Sequence, residues 1–461
     1  MKGFVPTPEP VVDLMVEKLF RHRPPTEKST LLDPGCGRGR FIDGVIRWCE
    51  RRGNAFPRIL GIESDPRHVA VAKDRFNRYD HVELRQADFL RPSKQQFDYI
   101  VGNPPYVSIT GLTPTERDEY RQAYTTAKGR FDLYLLFYEQ ALRELNPEGR
   151  LVFITPEKFL YIETARPFRK LVQQYRVEEL HFLEEQTFGD LVTYPLIATI
   201  SRSTPLHPTA VVHRGGVASS ANLNELDGRS WLPTILGADD DRSEVTLGDI
   251  CVRVSCGVAT GADSVFVVRN DEIDAGLQGF AYRTIAGRQM AAGEPLEPSH
   301  SLLVPYTENG ALLPEDKLGP LGRYLANGDR RAALLKRTCA RRKPWYAFHE
   351  NPPMADVRRP KLLCKDITPA PFFVPDRAGD IIPRHSVYYL VPADSECLDA
   401  LDAYLNSAPA QEWLRTHCQR AANGFLRVQS HVLKQLPLPS TFASLRRTLP
   451  DRHSQIEAHL A

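Results

Sequence analysis

The first half of this chain is expected to fold as an α/β unit around a mostly parallel sheet with an antiparallel strand pair at one edge, and the second half as a mixed α+β domain. Three features lead there. From Thr30 to about Ile200, short apolar runs alternate with segments of helical spacing, the pattern of a parallel sheet with crossover helices. The last two of those runs lie too close together for a helix between them, which fits an antiparallel pair. Beyond them the apolar runs are short and separated by long polar loops, without the regular alternation of the first half.

The parallel strands are placed at Thr30–Asp33, Arg58–Glu63, Val82–Arg85, Phe97–Gly102 and Leu151–Ile154. Phe41, Ile42, Val45, Ile46 and Cys49 recur at helical spacing, as do Leu133, Leu136, Phe137, Ala141, Leu142 and Leu145, so both segments are crossover helices. Val177–Leu183 and Tyr194–Ile200 form the antiparallel pair. From Ser201 to Arg242 the chain turns to Pro, Gly, Ser, Asn and Asp, a linker or surface excursion. The boundary falls near Asp240, giving domains 1–240 and 241–461. In the second domain the strand-like runs are Ile250–Val254, Ser264–Val268, Lys361–Cys364 and Val387–Val391, followed by a helical run from Leu398 to Arg420.

With 461 residues, 42% of them hydrophobic and 25% charged, the chain belongs to the globular class and has length for two or three domains. A formal charge of +2 does not demand a polyanion partner, so any such argument rests on local patches. The opening MKGFVPTPEP lacks a secretory apolar stretch, and no run approaches the roughly 18 apolar residues of a membrane span. A cytoplasmic protein without membrane contact is expected. Eight cysteines are scattered without a CxxC pair, which points to free thiols and no metal site.

The first strand runs into Asp33-Pro34-Gly35-Cys36-Gly37-Arg38-Gly39 and then a helix. Glycines at alternate positions let the backbone turn sharply and approach a ligand at a helix N-terminus. In the dinucleotide fingerprint a third glycine stands where this chain has Arg40, so the loop suits a ligand without pyrophosphate, as in Rossmann-like methyltransferases. Glu63 closes the second strand, where a carboxylate can accept both hydroxyls of a ribose. Asp88 follows the third, placed to accept from an adenine amino group while Phe89 packs on the ring. Each residue alone also fits an ordinary turn or helix cap; the argument is their joint occurrence at consecutive strand ends.

After the fourth strand comes Asn103-Pro104-Pro105-Tyr106. An amino group conjugated to a ring is a poor nucleophile, and two acceptors aimed at its hydrogens localise the lone pair on nitrogen. The Asn103 side-chain oxygen and the Pro104 carbonyl are those acceptors, with the prolines fixing the backbone that presents them. Tyr106 offers an aromatic face for a base drawn out of a duplex. Asn351-Pro352-Pro353-Met354 repeats the first three residues with no preceding apolar strand and no aromatic, and is assigned to a loop.

These residues resemble the TaqI-type adenine-N6 DNA methyltransferases, and the likeness covers nearly the whole chain. Glycine loop first, NPPY second and a large C-terminal region last is their gamma order. The resemblance implies a Rossmann-like methyltransferase sheet, S-adenosylmethionine as cofactor, double-stranded DNA as partner and action as a monomer, with any cognate restriction endonuclease a separate protein. Thr7-Pro8 followed by VVDLMV is similar to the family's opening motif, which lies over the methionine end of the cofactor. Phe188, between the two antiparallel strands, matches the aromatic that sandwiches the flipped adenine against the tyrosine; the spacing beyond it departs from the family, so Tyr194 stays open for that role. LGDICVRVSCGVATG, IAGRQM, RRPKLLCKDI, YLNSAPAQEWLR and VLKQLPLP resemble the TaqI-like specificity domain, which makes residues 241–461 the target-recognition domain. Within it Arg330, Arg331, Lys336, Arg337, Arg341, Arg342 and Lys343, followed by Trp345, Tyr346 and Phe348, suit phosphate contacts and stacking; a solvated helix face is the plainer alternative.

The tetrapeptide also occurs in release-factor glutamine and RNA methyltransferases, which are usually shorter; the glutamine enzymes carry their extra domain before the catalytic one. Cytosine-C5 methylation needs a Pro-Cys nucleophile that the sequence lacks. Cytosine-N4 methylation more often goes with serine in place of Asn103 and stays open. A non-catalytic specificity subunit is disfavoured by the intact glycine loop, Asn103 and Tyr106.

Overall fold

The computed structural model describes residues 5–91, 95–189, 194–204, 208–224, 226–237, 244–421 and 424–448. The chain divides into two compact units, Met1–Asp239 and Asp240–Ala461.

Unit 1 is built on nine strands: β1 (Thr30–Pro34), β2 (Arg58–Glu63), β3 (Val82–Gln86), β4 (Phe97–Gly102), β5 (Leu145–Pro156), β6 (Arg176–Phe182), β7 (Pro195–Ser201), β8 (Thr209–Val212) and β9 (Ala218–Ala221). They lie in the order β3-β2-β1-β4-β5-β7-β6-β8-β9, with β1 to β5 parallel. The order reverses between β1 and β4, and in open α/β sheets that switch point is where the carboxyl ends of the strands leave a ligand crevice. The helices that accompany the sheet include α1 (Glu9–Phe20), α2 (Arg40–Arg52), α3 (Pro66–Phe76), α4 (Pro114–Ala123), α5 (Leu133–Arg143) and α6 (Arg166–Val172).

The central strands β1, β2 and β4 read as apolar runs because both faces are covered. On one face Leu31, Val101 and Val152 pack with α1 and α2 through Val16, Leu19, Phe20, Ile42 and Val45. On the other, their neighbours Leu32, Ile100 and Leu151 pack with α5 through Leu135, Tyr138 and Leu142.

The antiparallel strand is β7. It lies between β5 and β6, antiparallel to both, so every residue of it is buried. The sheet continues past β6 into β8 and β9, which corrects the reading of 201–242 as a linker. That hairpin was hidden because its strands are four residues each and β9 is largely exposed, while Gly215 and Gly216 at its turn, with φ of 80° and 82°, carry a loop's composition.

Unit 2 holds two four-stranded sheets. One orders Cys251–Cys256, Val387–Pro392, Lys361–Lys365 and Phe373–Asp376; the other orders Val267–Arg269, His300–Leu303, Ala281–Ile285 and Ile382–Pro383. The expected strand Ser264–Val268 begins instead as a helical turn, Asp263–Phe266, that buries Val265 and Phe266. The helical run from Leu398 breaks into Leu398–Leu405 and Ala408–His417. At the break the Asn406 side chain accepts from Phe373 N and donates to Phe373 O. The second NPP lies outside regular structure before a short helix, Met354–Val357.

Among the described residues, no helix is long and apolar enough to cross a membrane, and no group of three or more His, Cys, Asp or Glu is arranged to hold a metal.

Candidate active site

At the switch point β1 enters the glycine loop, where Gly35, Gly37 and Gly39 have φ of 75°, 56° and 82°, values that side-chain-bearing residues adopt only under strain. Gly35 N and Cys36 N both donate to Ile62 O, at 2.7 and 2.9 Å, stitching the loop to the end of β2. Glu63 extends the stitching: Gly37 N donates to its Oε2 at 2.9 Å and Asp65 N to its Oε1 at 2.8 Å. The ribose-accepting candidate is thus held by two loops before any ligand arrives.

Gly35, Cys36, Gly37, Ile62, Glu63 and Asp65 line a cavity of 790 Å³, together with Thr7, Asp88, Phe89, Asn103 and Pro105, a volume suited to a nucleoside-sized ligand. Asp88 is oriented by Leu90 N, which donates to Oδ1 at 3.0 Å. Phe89 is buried and packs on Phe137, with ring centroids 5.2 Å apart, and Phe137 lines the same cavity.

Gly39 and Asp33 stand apart from that wall. A Cβ at Gly39 would lie 2.2 Å from the Phe76 ring, so this glycine lets α3 close onto the loop rather than admitting a ligand. Asp33 is 0% exposed and neither carboxylate oxygen has a hydrogen-bond partner among the described residues. Burial, reinforced by the charge of Glu63, raises its pKa well above the ordinary carboxylate value.

Asn103 follows β4 directly. Its Nδ2 donates to Val5 O at 3.0 Å and to Thr7 Oγ1 at 3.1 Å. Both amide hydrogens are engaged by the strap that precedes α1, and among the described residues no hydrogen bond reaches Oδ1. The strap is held in turn by Arg40, whose Nη1 donates to Thr7 O at 3.1 Å. Pro104 is buried and Pro105 takes the place on the wall. Tyr106 lies off the wall: its hydroxyl donates to Ile154 O at 3.2 Å and its ring stands edge-on to Tyr134 at 6.4 Å. Burial pushes the Tyr106 pKa upward, keeping the hydroxyl neutral.

Phe188 ends a short turn, Glu185–Phe188, and packs partly buried against the α1–α2 core. Among the described residues no ring contact joins it to Tyr106. Tyr194 is held more tightly. Its carbonyl accepts from Glu157 N at 2.8 Å, and Arg214, from the β8–β9 hairpin, lies 5.3 Å over its ring while pairing with the buried Glu157 carboxylate at 2.6 Å. Arg214 Nε also donates to Leu183 O, so the hairpin grips both ends of the β6–β7 connection.

In unit 2 the basic cluster separates by exposure. Arg331, Lys336, Arg341 and Arg342 are exposed. Arg330 stacks over Tyr324 at 3.9 Å, Arg331 lies over Trp345 at 5.3 Å, and Lys343 donates to His349 O at 3.0 Å. Arg337 must be removed from the DNA-facing set. Its guanidinium donates to Leu334 O, Thr260 O and Trp345 O at 3.1, 2.8 and 2.6 Å, an internal strut whose pKa burial lowers. Tyr346 and Phe348 are likewise core, at 4% and 0% exposure, not stacking platforms. Sequence reasoning passed over Arg40, Val5, Phe137 and Arg214; only Arg40 carried a signal, as the residue standing where a dinucleotide loop has glycine.

Residues 55–188 match the family described as Eco57I restriction-modification methylase. The chain is 28% identical to Type II methyltransferase M.PaeR7I of Pseudomonas aeruginosa, covering 95% of this chain and 86% of the relative. It is 29% identical to Type II methyltransferase M.XhoI of Xanthomonas vasicola, covering 77% and 71%. Among solved structures, the Type IIL restriction-modification enzyme MmeI in complex with DNA superposes with a TM-score of 0.62 at 15% identity, covering 93% of this chain and 64% of that one. The sheet order and its switch-point cavity are those of a Rossmann-like methyltransferase fold. In sequence the chain is similar to type II restriction-modification methylases, a likeness that implies S-adenosylmethionine as cofactor and with which the gamma order is consistent.

Proposed function

We propose that this protein is a DNA methyltransferase of a restriction-modification system that moves a methyl group from S-adenosylmethionine to N6 of adenine within a short duplex sequence, after the target base has left the helix. The observation that carries this reading is the state of Asn103: both amide hydrogens bonded to the strap, and Oδ1 left as an acceptor beside the cavity. An acceptor fixed in this way needs little reorganisation when charge develops on an attacking amine.

The cofactor, when bound, supplies a sulfonium methyl whose transfer leaves a neutral thioether. Glu63, Asp88 and Phe89 fit its nucleoside half, two carboxylates for hydroxyl and amino hydrogens and an apolar face for the ring. Asn103 Oδ1 and the Pro104 carbonyl accept hydrogen bonds from the two amine hydrogens as the nitrogen gains positive character, and once the methyl group is on nitrogen one of those protons leaves to solvent. Tyr106, anchored through its hydroxyl, presents its ring to the base, with Phe188 on the opposite side and Tyr194 as the alternative. Asp33 takes no part as a base, being off the cavity wall. Unit 2 reads the DNA, with Arg330, Arg331, Lys336, Arg341, Arg342 and Lys343 contacting phosphates. The protein acts as a monomer and the partner nuclease is a separate chain. The relatives named as type II methyltransferases support a role in DNA modification.

The test is the identity of the product. Protein, labelled S-adenosylmethionine and duplex DNA, followed by nucleoside digestion, should yield N6-methyladenine. N4-methylcytosine would move the same acceptor chemistry to another base, and label found only in RNA or protein would reject the reading.

A further inference from the structure

The cavity wall carries a cation that its neighbours leave without a carboxylate. Arg40, the first residue of α2, is exposed, lines the cavity and forms no ion pair among the described residues. The acids around it are matched elsewhere: Asp43 with Arg75 at 2.5 Å, and Asp13 with Arg47 at 2.8 Å, with Glu9 also 3.9 Å from Arg47. Arg38 shares the wall, but it is Arg40 that is fastened to the strap, through Thr7 O at 3.1 Å. A guanidinium carries five N–H donors in a planar fork that matches a carboxylate, so one bond to a carbonyl leaves the fork available.

The direction of the cavity says which carboxylate. Glu63, Asp88 and Phe89, at the ends of β2 and β3, form its nucleoside side. The transferred methyl has to lie beside Asn103. What remains of the ligand then continues toward Thr7 and Arg40. We propose that Arg40 binds the carboxylate at the amino-acid end of S-adenosylmethionine, an assignment resting on the reading that this cavity takes that cofactor. A charge-assisted arginine–carboxylate bond is roughly twice as strong as a neutral hydrogen bond, so its loss changes affinity measurably.

Calorimetric titration of the full chain, without DNA, with S-adenosylmethionine and with its decarboxylated analogue isolates this contact, since the analogue keeps nucleoside, sulfonium and amine. The wild-type protein should prefer the carboxylate-bearing ligand by about tenfold or more. Arg40→Gln, which retains a donor for Thr7 O, should lose that preference, and Arg40→Lys should keep part of it. An unchanged preference in Arg40→Gln, or an equal weakening of both ligands in both variants, overturns the assignment and leaves Arg40 as a support for the strap. Failure of the wild-type protein to bind either ligand would instead overturn the cofactor reading, and the assignment with it.

Discussion

Asn103 Nδ2 lies 3.1 Å from Thr7 Oγ1 across 96 positions of sequence, so an asparagine at the end of a central strand is aimed by a threonine near the start of the chain. A terminal-amide oxygen and nitrogen are similar in shape, and hydrogen-bond partners decide which points where. Thr7 Oγ1 and Val5 O, both accepting, decide it here.

Thr7→Val keeps the side chain's shape and removes that acceptor. Methyl transfer should fall about tenfold, the cost of one hydrogen bond of about 1.4 kcal/mol. Cofactor affinity should change much less. Steady-state kinetics beside binding titrations check the split; a loss confined to cofactor affinity would mean that Thr7 serves the cavity and not Asn103.

The glycine loop separates ligand access from packing. Gly39→Ala would set a Cβ 2.2 Å from the Phe76 ring, whereas at Gly35 the nearest atom is 3.7 Å away. Both carry the strain of a left-handed backbone, about 1 kcal/mol. Gly39→Ala adds overpacking of about 1–3 kcal/mol. Urea unfolding should rank Gly39→Ala clearly below Gly35→Ala in stability.

Glu144 gives a pH-dependent signature unconnected with catalysis. Burial raises its pKa from 4.5 to about 7, against the opposing hydrogen bond from Gln140 Nε2 at 2.7 Å. Because the folded protein holds this proton more tightly than the unfolded chain, the contribution is fully present below about pH 4.5 and is lost as pH rises to about 7. The change amounts to about 3 kcal/mol at most. Glu144→Gln should flatten the stability profile in that window, seen as a smaller difference between urea midpoints at pH 5 and pH 8.

Much of this molecule was legible in the residues themselves. Strands β1, β2 and β4 show because burial on both faces leaves apolar runs such as TLL, ILGI and YIVG, and the glycine loop shows because its backbone angles exclude other residues. The β8–β9 hairpin did not show, its strands being too short to display a period. Arg337 was misread because charge alone does not say whether a guanidinium faces solvent or three carbonyls. The Thr7–Asn103 contact joins two segments that only the folded sheet brings together, so no local pattern announces it.

The two arginines first grouped together now part ways. Arg337→Ala leaves the carbonyls of Leu334, Thr260 and Trp345 without their donor and should destabilise unit 2 by about 2–4 kcal/mol. Arg341→Ala, at an exposed position, should leave stability within about 0.5 kcal/mol. It should weaken DNA binding alike for all sequences and reduce the salt slope by about one unit. Melting curves and binding titrations at several salt concentrations distinguish them; a changed target preference in Arg341→Ala would place it at the bases.

The central claim is that Asn103 Oδ1 acts on the amine during methyl transfer. Single-turnover methylation by Asn103→Ala, set beside its calorimetric affinity for S-adenosylmethionine, tests it most directly. The expected rate is lower by about 10²–10³-fold, with cofactor affinity within about threefold. A variant that still transfers at the wild-type rate, or one whose entire loss lies in cofactor binding, would contradict it.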